Sequence, residues 1–350
     1  MRQYAPARAV KRSRLGRLPA GLLIAALALG PAASAPRAIT SAAPARIEIV
    51  AKPIVSFEPR QADRRQFGHL RFRGGLSLTS NHPAFGGLSG LSVEADGEHF
   101  IALSDKADWL RGRIIYNAGA PIAITDAEMA PILGPDGRPL AARGWYDTES
   151  LTRAGDTLYV GIERVHQIVK FDYGKHGLVA RGEPLRIPHA IKMLPRNKGL
   201  EALAAVPKGM PLAGTLIAIS ERGLDAHGNI RGWLIGGPTP GEFSFQRRDD
   251  FNVTDAAVTP DGDLIVLERY FTFVEGVKMR LRRIPLTSIR PGALLDGDVL
   301  FAADMGFQID NMEGLSAHRS SDGETVLTLV SDDNFSLIQR TLLLQFALTE

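Results

Sequence analysis

Apolar positions come in short runs separated by glycine-containing turns, and beyond the first 43 residues no stretch keeps a 3.6-residue apolar period over a helical length. Five segments repeat one order of parts: "GLSGLSVEADGEHFIALSDK" from Gly87, "DTESLTRAGDTLYVGIER" from Asp147, "KGLEALAAVPKGMPLAGTLIAISER" from Lys198, "VTDAAVTPDGDLIVLER" from Val253 and "NMEGLSAHRSSDGETVLTLVSDDN" from Asn311. Each opens on a short strand, turns, enters a second and mostly apolar strand, and ends on charge. Three of the turns carry an Asp-Gly step, at Asp96-Gly97, Asp261-Gly262 and Asp322-Gly323, and a fourth has Gly155-Asp156, all suited to tight hairpins.

Further strand candidates follow in most units, including "RIIYN", "QIVKFDY", "GWLIGG", "RLRRIPL" and "TLLLQFAL". About four strands per repeat at this spacing predict an all-β chain folded as a β-propeller of five or six blades. The last unit is one strand short. A strand from "RIEIVAKPIVSF" or "HLRFRGGLSLTS" would complete it, so the expected propeller is closed by an N-terminal strand. The expected organisation is a signal peptide with its flanking segment over 1–43, a linker with one closing strand over 44–67, and the propeller over 68–350.

The sequence pI of about 9.2 misrepresents the body of the chain, because the first 43 residues hold seven Lys or Arg and no acid. Without them 34 basic residues face 38 acidic ones, a balance that does not favour nucleic acid. Within that segment Arg8, Lys11, Arg12, Arg14 and Arg17 precede the apolar run "GLLIAALALG" and the small-residue stretch "PAASA", the order of an export signal. The apolar run is about half the ~20 residues needed to span a bilayer. The expected mature protein is therefore periplasmic or secreted, without a membrane span, and a monomer.

Acidic residues recur at two places in the repeats. Glu149, Glu201, Asp255 and Glu313 stand at the first strand, where the first unit has Ser89. Asp105, Glu163, Glu221, Glu268 and Asp332 end the second strand. Lys106, Arg164, Arg222 and Arg269 follow four of these, and Asp333 follows the fifth. The start of a first strand and the end of its antiparallel partner lie at one end of a blade, so closure of the ring would gather these acids at one mouth. Carboxylates so crowded need cations or the neighbouring arginines. With no cysteine, thiolate ligands, disulfides and a cysteine nucleophile are excluded, and oxygen ligands in this number point to Ca²⁺. The alternatives are salt bridges between blades and substrate binding by the basic partners.

The motifs "GGLSGL" with "ALSD", "DTESL" with "YVGIER", "GLEAL" with "AISER", and "NMEGLSAH" with "LVSDDNF" resemble the phytase-like bacterial proteins described as having esterase-like activity of phytase. That resemblance implies an exported propeller that hydrolyses a phosphate ester or another ester as its small-molecule substrate. Glu201, Glu221 and Glu313 are the expected catalytic residues, and Lys106, Arg164, Arg222 and Arg269 the expected substrate-binding ones. The expected calcium ligands are Asp105, Glu149, Glu163, Glu201, Glu221, Asp255, Glu268, Glu313, Asp332 and Asp333. A calcium lactonase-type esterase and a propeller that binds a ligand or partner without chemistry are the alternatives. Other hydrolase signatures are missing: "GLSGL" does not have G-x-S-x-G spacing, no H-E-x-x-H occurs, and "GPDGRPL" lacks a following Gly-Lys-Ser/Thr. His166, His189 and His318 are expected in loops or core, and Trp109, Trp145 and Trp233 either in the core or on a ligand-facing rim.

Overall fold

The computed structural model describes residues 43–349; the expected export signal lies outside the described residues. Five sheets follow one another along the chain, antiparallel except where the two-residue strand Leu294–Leu295 joins the third in parallel. Blade I runs Leu88–Val93, His99–Ser104, Asp108–Asn117, Ala120–Pro131. Blade II is Thr148–Ala154, Thr157–Ile162, Gln167–Asp172, Glu183–Pro184, and blade III is Leu200–Ala205, Thr215–Leu224, Ile230–Gly236, Gly241–Phe245. Blade IV is Asn252–Val258, Asp263–Thr272, Gly276–Pro285, Asp298–Ala303. Blade V takes Asn311–Arg319, Thr325–Asp332 and Thr341–Leu348 from the end of the chain and completes its sheet with Leu70–Thr79 and Val50–Ile54 from the beginning. Both N-terminal segments named as closing candidates are thus used in one blade, which fixes the count at five.

The first strand of every blade neighbours the first strands of the blades on either side, in the order I, II, III, IV, V and back to I, so the ring is closed. Five buried clusters fill the five interfaces between blades. Second strands explain how. Ile217 and Ile219 face blade IV while Leu216 and Ala218 face blade II; Leu264 and Val266 face blade III while Ile265 and Leu267 face blade V. A strand covered on both faces has no solvent side, which is why "LIVL" and "LIAI" read as continuous apolar runs without alternation. At the IV–V seam Phe57 packs edge-on against Phe67 and Phe346 at 5.1 and 5.0 Å, so the N-terminal segment seals the join as well as supplying strands.

At the axis the first strands approach too closely for side chains at some positions. A Cβ on Gly90 of blade I would lie 2.9 Å from the Leu151 Cβ of blade II, and one on Gly314 of blade V would lie 3.2 Å from the Gly90 carbonyl carbon. These glycines are required by the ring and not by a turn.

Candidate functional site

Each first strand carries a register shift against its second strand, and in every blade one residue is left out of the pairing. The skipped residues are Ser89, Glu149, Glu201, Thr254 and Glu313. A bulge re-aims the extra side chain, and here it occurs five times at the same depth around one axis. A second ring lies beside it. Asp105, Glu163 and Glu221 donate their backbone N–H to the carbonyls of Gly87, Asp147 and Gly199 at 2.7–2.8 Å, and Arg269 and Asp332 occupy the matching register against Asn252 and Asn311.

The two rings bring seven predicted carboxylates together: Asp105, Glu149, Glu163, Glu201, Glu221, Glu313 and Asp332. Their ionisation is strongly opposed. Burial first, and then the neighbouring acids, hold Glu149 and Glu201 well above the usual carboxylate range. Burial pushes Asp105 up to about 6, Glu163 to about 7 and Asp332 to about 8. Glu221 and Glu313 are also raised by burial, against the opposing pull of Arg269.

Blade IV departs from the pattern by one residue in both strands. The skipped position is Thr254, so Asp255 points off the axis and accepts the N–H of Leu315 at 2.7 Å and of Ala256 at 2.8 Å. The ring position of the second strand is held by Arg269, so Glu268 turns into the blade, fully buried between Arg280 and Arg282 at 2.8 Å from each Nε. Asp333, in blade V, is taken up by the N–H groups of Gly87 and Phe335 at 2.9 and 3.0 Å and by the Thr341 hydroxyl at 2.8 Å. Asp255, Glu268 and Asp333, expected among the calcium ligands, therefore stand apart as braces of the scaffold.

The expected basic residues all lie on the mouth side, in different settings. Arg269 lies 3.8 Å from Glu313. Arg164 lies 3.8 Å from Asp147 and over the Tyr146 ring, and the Lys106 ammonium lies over Phe335. Arg222 and Arg269 share a cavity of about 450 Å³ with Arg247 and Asn252. Trp109 and Trp233 are fully buried, so they pack the core instead of forming a rim; His166 and His318 are buried, and His189 is exposed at the start of the short helix His189–Lys192, not in a loop or the core.

Three residues at the site were not singled out from sequence. Asn311 donates its side-chain N–H to Glu313 at 2.8 Å, Asn252 does the same to Glu221 at 3.1 Å, and Asp147 meets Arg164. All three precede the skipped residue by two positions, a regularity available in the repeat alignment.

Donor chemistry fits a hard divalent cation. One carboxylate oxygen from each of Glu163, Glu201 and Glu221 lies within 4.8 Å of the other two. Glu149 and Glu201 have no ion-pair partner among the described residues, and Gly199 fixes Glu163 through a 2.7 Å N–H bond. Carboxylate-only donors favour Ca²⁺ or Mg²⁺ over softer metals.

The architecture is that of a five-bladed propeller with an acidic axial funnel. A family model described as "Phytase-like: Esterase-like activity of phytase" matches residues 83–335, and the chain belongs to this family. No curated protein sequence matches it. Among solved structures it is similar to the glutaminyl cyclase of Myxococcus xanthus, with 11% identity, a TM-score of 0.43, and coverage of 80% of this chain and 97% of that one. It is also similar to an α-L-arabinofuranosidase of Podospora anserina in complex with cellotriose, with 10% identity, a TM-score of 0.47, and coverage of 77% and 93%. Likenesses at this level transfer neither substrate nor reaction.

Proposed function

We propose that this protein is an exported, calcium-dependent hydrolase of phosphate esters or other esters. The observation that supports this most is the gathering of seven mutually repelling carboxylates around one opening, three of them at ligand distance from one another. Glu163, Glu201 and Glu221 would hold the ion. When bound, calcium supplies a Lewis acid for the ester oxygen and acidifies water. Glu313, steadied by the Asn311 amide and Arg269, faces the same opening and would accept a proton from the attacking water. Arg269 and Arg222, which line one cavity, would offer N–H donors to the anionic oxygens of the substrate, with Arg164 and Lys106 further round the rim.

A second reading is a single-calcium carboxylic esterase or lactonase. It is favoured by the fact that one triad alone among the described residues converges to ligand distance. Metal analysis of the purified protein, coupled to a panel of phosphatase, esterase and lactone substrates, separates the two. Turnover should vanish in chelator and in Glu201→Ala and fall in Glu313→Ala. Full turnover in all three would remove the mechanism.

A further inference from the structure

Among the described residues, the large apolar side chains with more than nine-tenths of their surface exposed are Phe273, Val274, Leu337 and Ile338, at 91–105%. All four lie in loops that join a second strand to a third, and these loops project from the same end of the propeller as the acid rings. The strand that carries Arg269 runs on to Thr272, roughly 10 Å further at about 3.3 Å per residue, and Phe273 follows in the turn. Two half-exposed or more exposed methionines add to the same end: Met305, beside the hairpin at Gly276, and Met193 in the connection from blade II to blade III.

These tips are built features. The loop carrying Leu337 and Ile338 is braced at its base by Arg340, whose backbone N–H donates to Asp310 at 3.1 Å and whose guanidinium donates to Gln308 and to the Ile309 carbonyl at 2.7 and 2.9 Å. At the other hairpin the Glu275 N–H donates to the Thr272 hydroxyl at 3.1 Å. Backbone so tied does not fold its apolar tips back onto the body.

A cationic segment lies at the same end of the propeller, in the connection from blade II to blade III. Residues 186–198, "RIPHAIKMLPRNK", contain no acid. Ile187, Ile191 and Leu194 are buried and anchor the segment in the II–III interface, while Arg186, Lys192 and Arg196 face solvent next to exposed Met193. Isolated apolar tips on separate loops, with a cationic segment at the same end of the propeller, match a fluid anionic surface better than the contiguous flat patch of a protein interface. We propose that the mouth face of this propeller docks on anionic lipid, with the tips at Phe273–Val274 and Leu337–Ile338 inserted at the headgroup level and the 186–198 segment lying against the lipid charge. Docking does not depend on the hydrolase reading; if both hold, ester groups of the docked amphiphiles are delivered to the acid rings.

Flotation of the purified protein with vesicles of phosphatidylcholine alone, and of phosphatidylcholine with phosphatidylglycerol, reads docking independently of turnover. The expected result is binding to the anionic vesicles that weakens with salt. Phe273→Ser with Val274→Ser, and Leu337→Ser with Ile338→Ser, should each weaken it at least tenfold while the melting temperature is unchanged, and Lys192→Glu with Arg196→Glu should weaken it on anionic vesicles only. No flotation with anionic vesicles, or equal flotation of all variants, would overturn the proposal. So would a concentration-dependent dimer that the serine variants abolish without any vesicle binding.

Discussion

Arg269 lies 3.8 Å from the Glu313 carboxylate and holds, in blade IV, the place that Asp105, Glu163, Glu221 and Asp332 hold in the other blades. One positive charge therefore stands inside an otherwise acidic ring, where it lowers the cost of ionising Glu313 and Glu221. It also repels any cation held nearby and attracts an anionic substrate. Arg269→Met should accordingly tighten calcium binding several-fold while raising KM for a phosphate ester by about ten- to a hundredfold, the loss expected for one charge-assisted contact of about 1.5–3 kcal/mol. Calorimetric calcium titration and steady-state kinetics would read the two opposite effects.

The ring carboxylates predict an unusual pH dependence for the cation-free protein. Asp105, Glu163 and Asp332 have folded pKa values raised to about 6, 7 and 8, so between about pH 4 and pH 8 the native state binds more protons than the unfolded chain. Their contribution to stability is complete below the unfolded carboxylate range and is lost as pH rises through the folded values. Melting temperature in chelator should fall steadily from pH 5 to pH 8, and added calcium should flatten the slope.

Asp255 ties blade IV to blade V through the Leu315 N–H. Asp255→Ala leaves that buried donor and the Ala256 N–H without partners and should cost about 2–4 kcal/mol in urea unfolding. Asp255→Asn keeps an acceptor and should cost less. Calcium affinity should not change in either, since the side chain points away from the funnel.

Glu268 binds two arginines in the interior of blade IV. Glu268→Gln leaves Arg280 and Arg282 under-compensated and should destabilise by about 3–5 kcal/mol, the usual cost of breaking a buried pair from one side. Gly90→Ala tests the ring itself: the added methyl meets Leu151 at 2.9 Å and should cost about 1–3 kcal/mol through overpacking.

The five repeats, their hairpin turns and the N-terminal closure were legible because turn chemistry and apolar runs report local geometry directly. Seven of the ten expected metal ligands do meet at one mouth. Blade IV misled the alignment because "VTDAAV" and "LER" match the other units by charge while their pairing is offset by one residue. A shift of one in a strand moves a side chain to the other face, so Asp255 and Glu268 left the ring and Thr254 and Arg269 entered it. Asp333 was ambiguous for the same reason, standing next to Asp332 in a turn. Register of this kind is set by where a bulge falls, and a bulge has no residue signature here: the skipped position is serine, threonine or glutamate.

Calcium titration of the purified wild-type protein and of Glu201→Gln, at neutral pH by isothermal calorimetry, tests the account most directly. The expected result is saturable binding by the wild type, at least tenfold weaker binding by the variant, and a higher melting temperature for the variant in chelator because a carboxyl whose ionisation burial and its neighbours oppose is gone. Equal calcium affinities for the two proteins, or no binding by either, would contradict it.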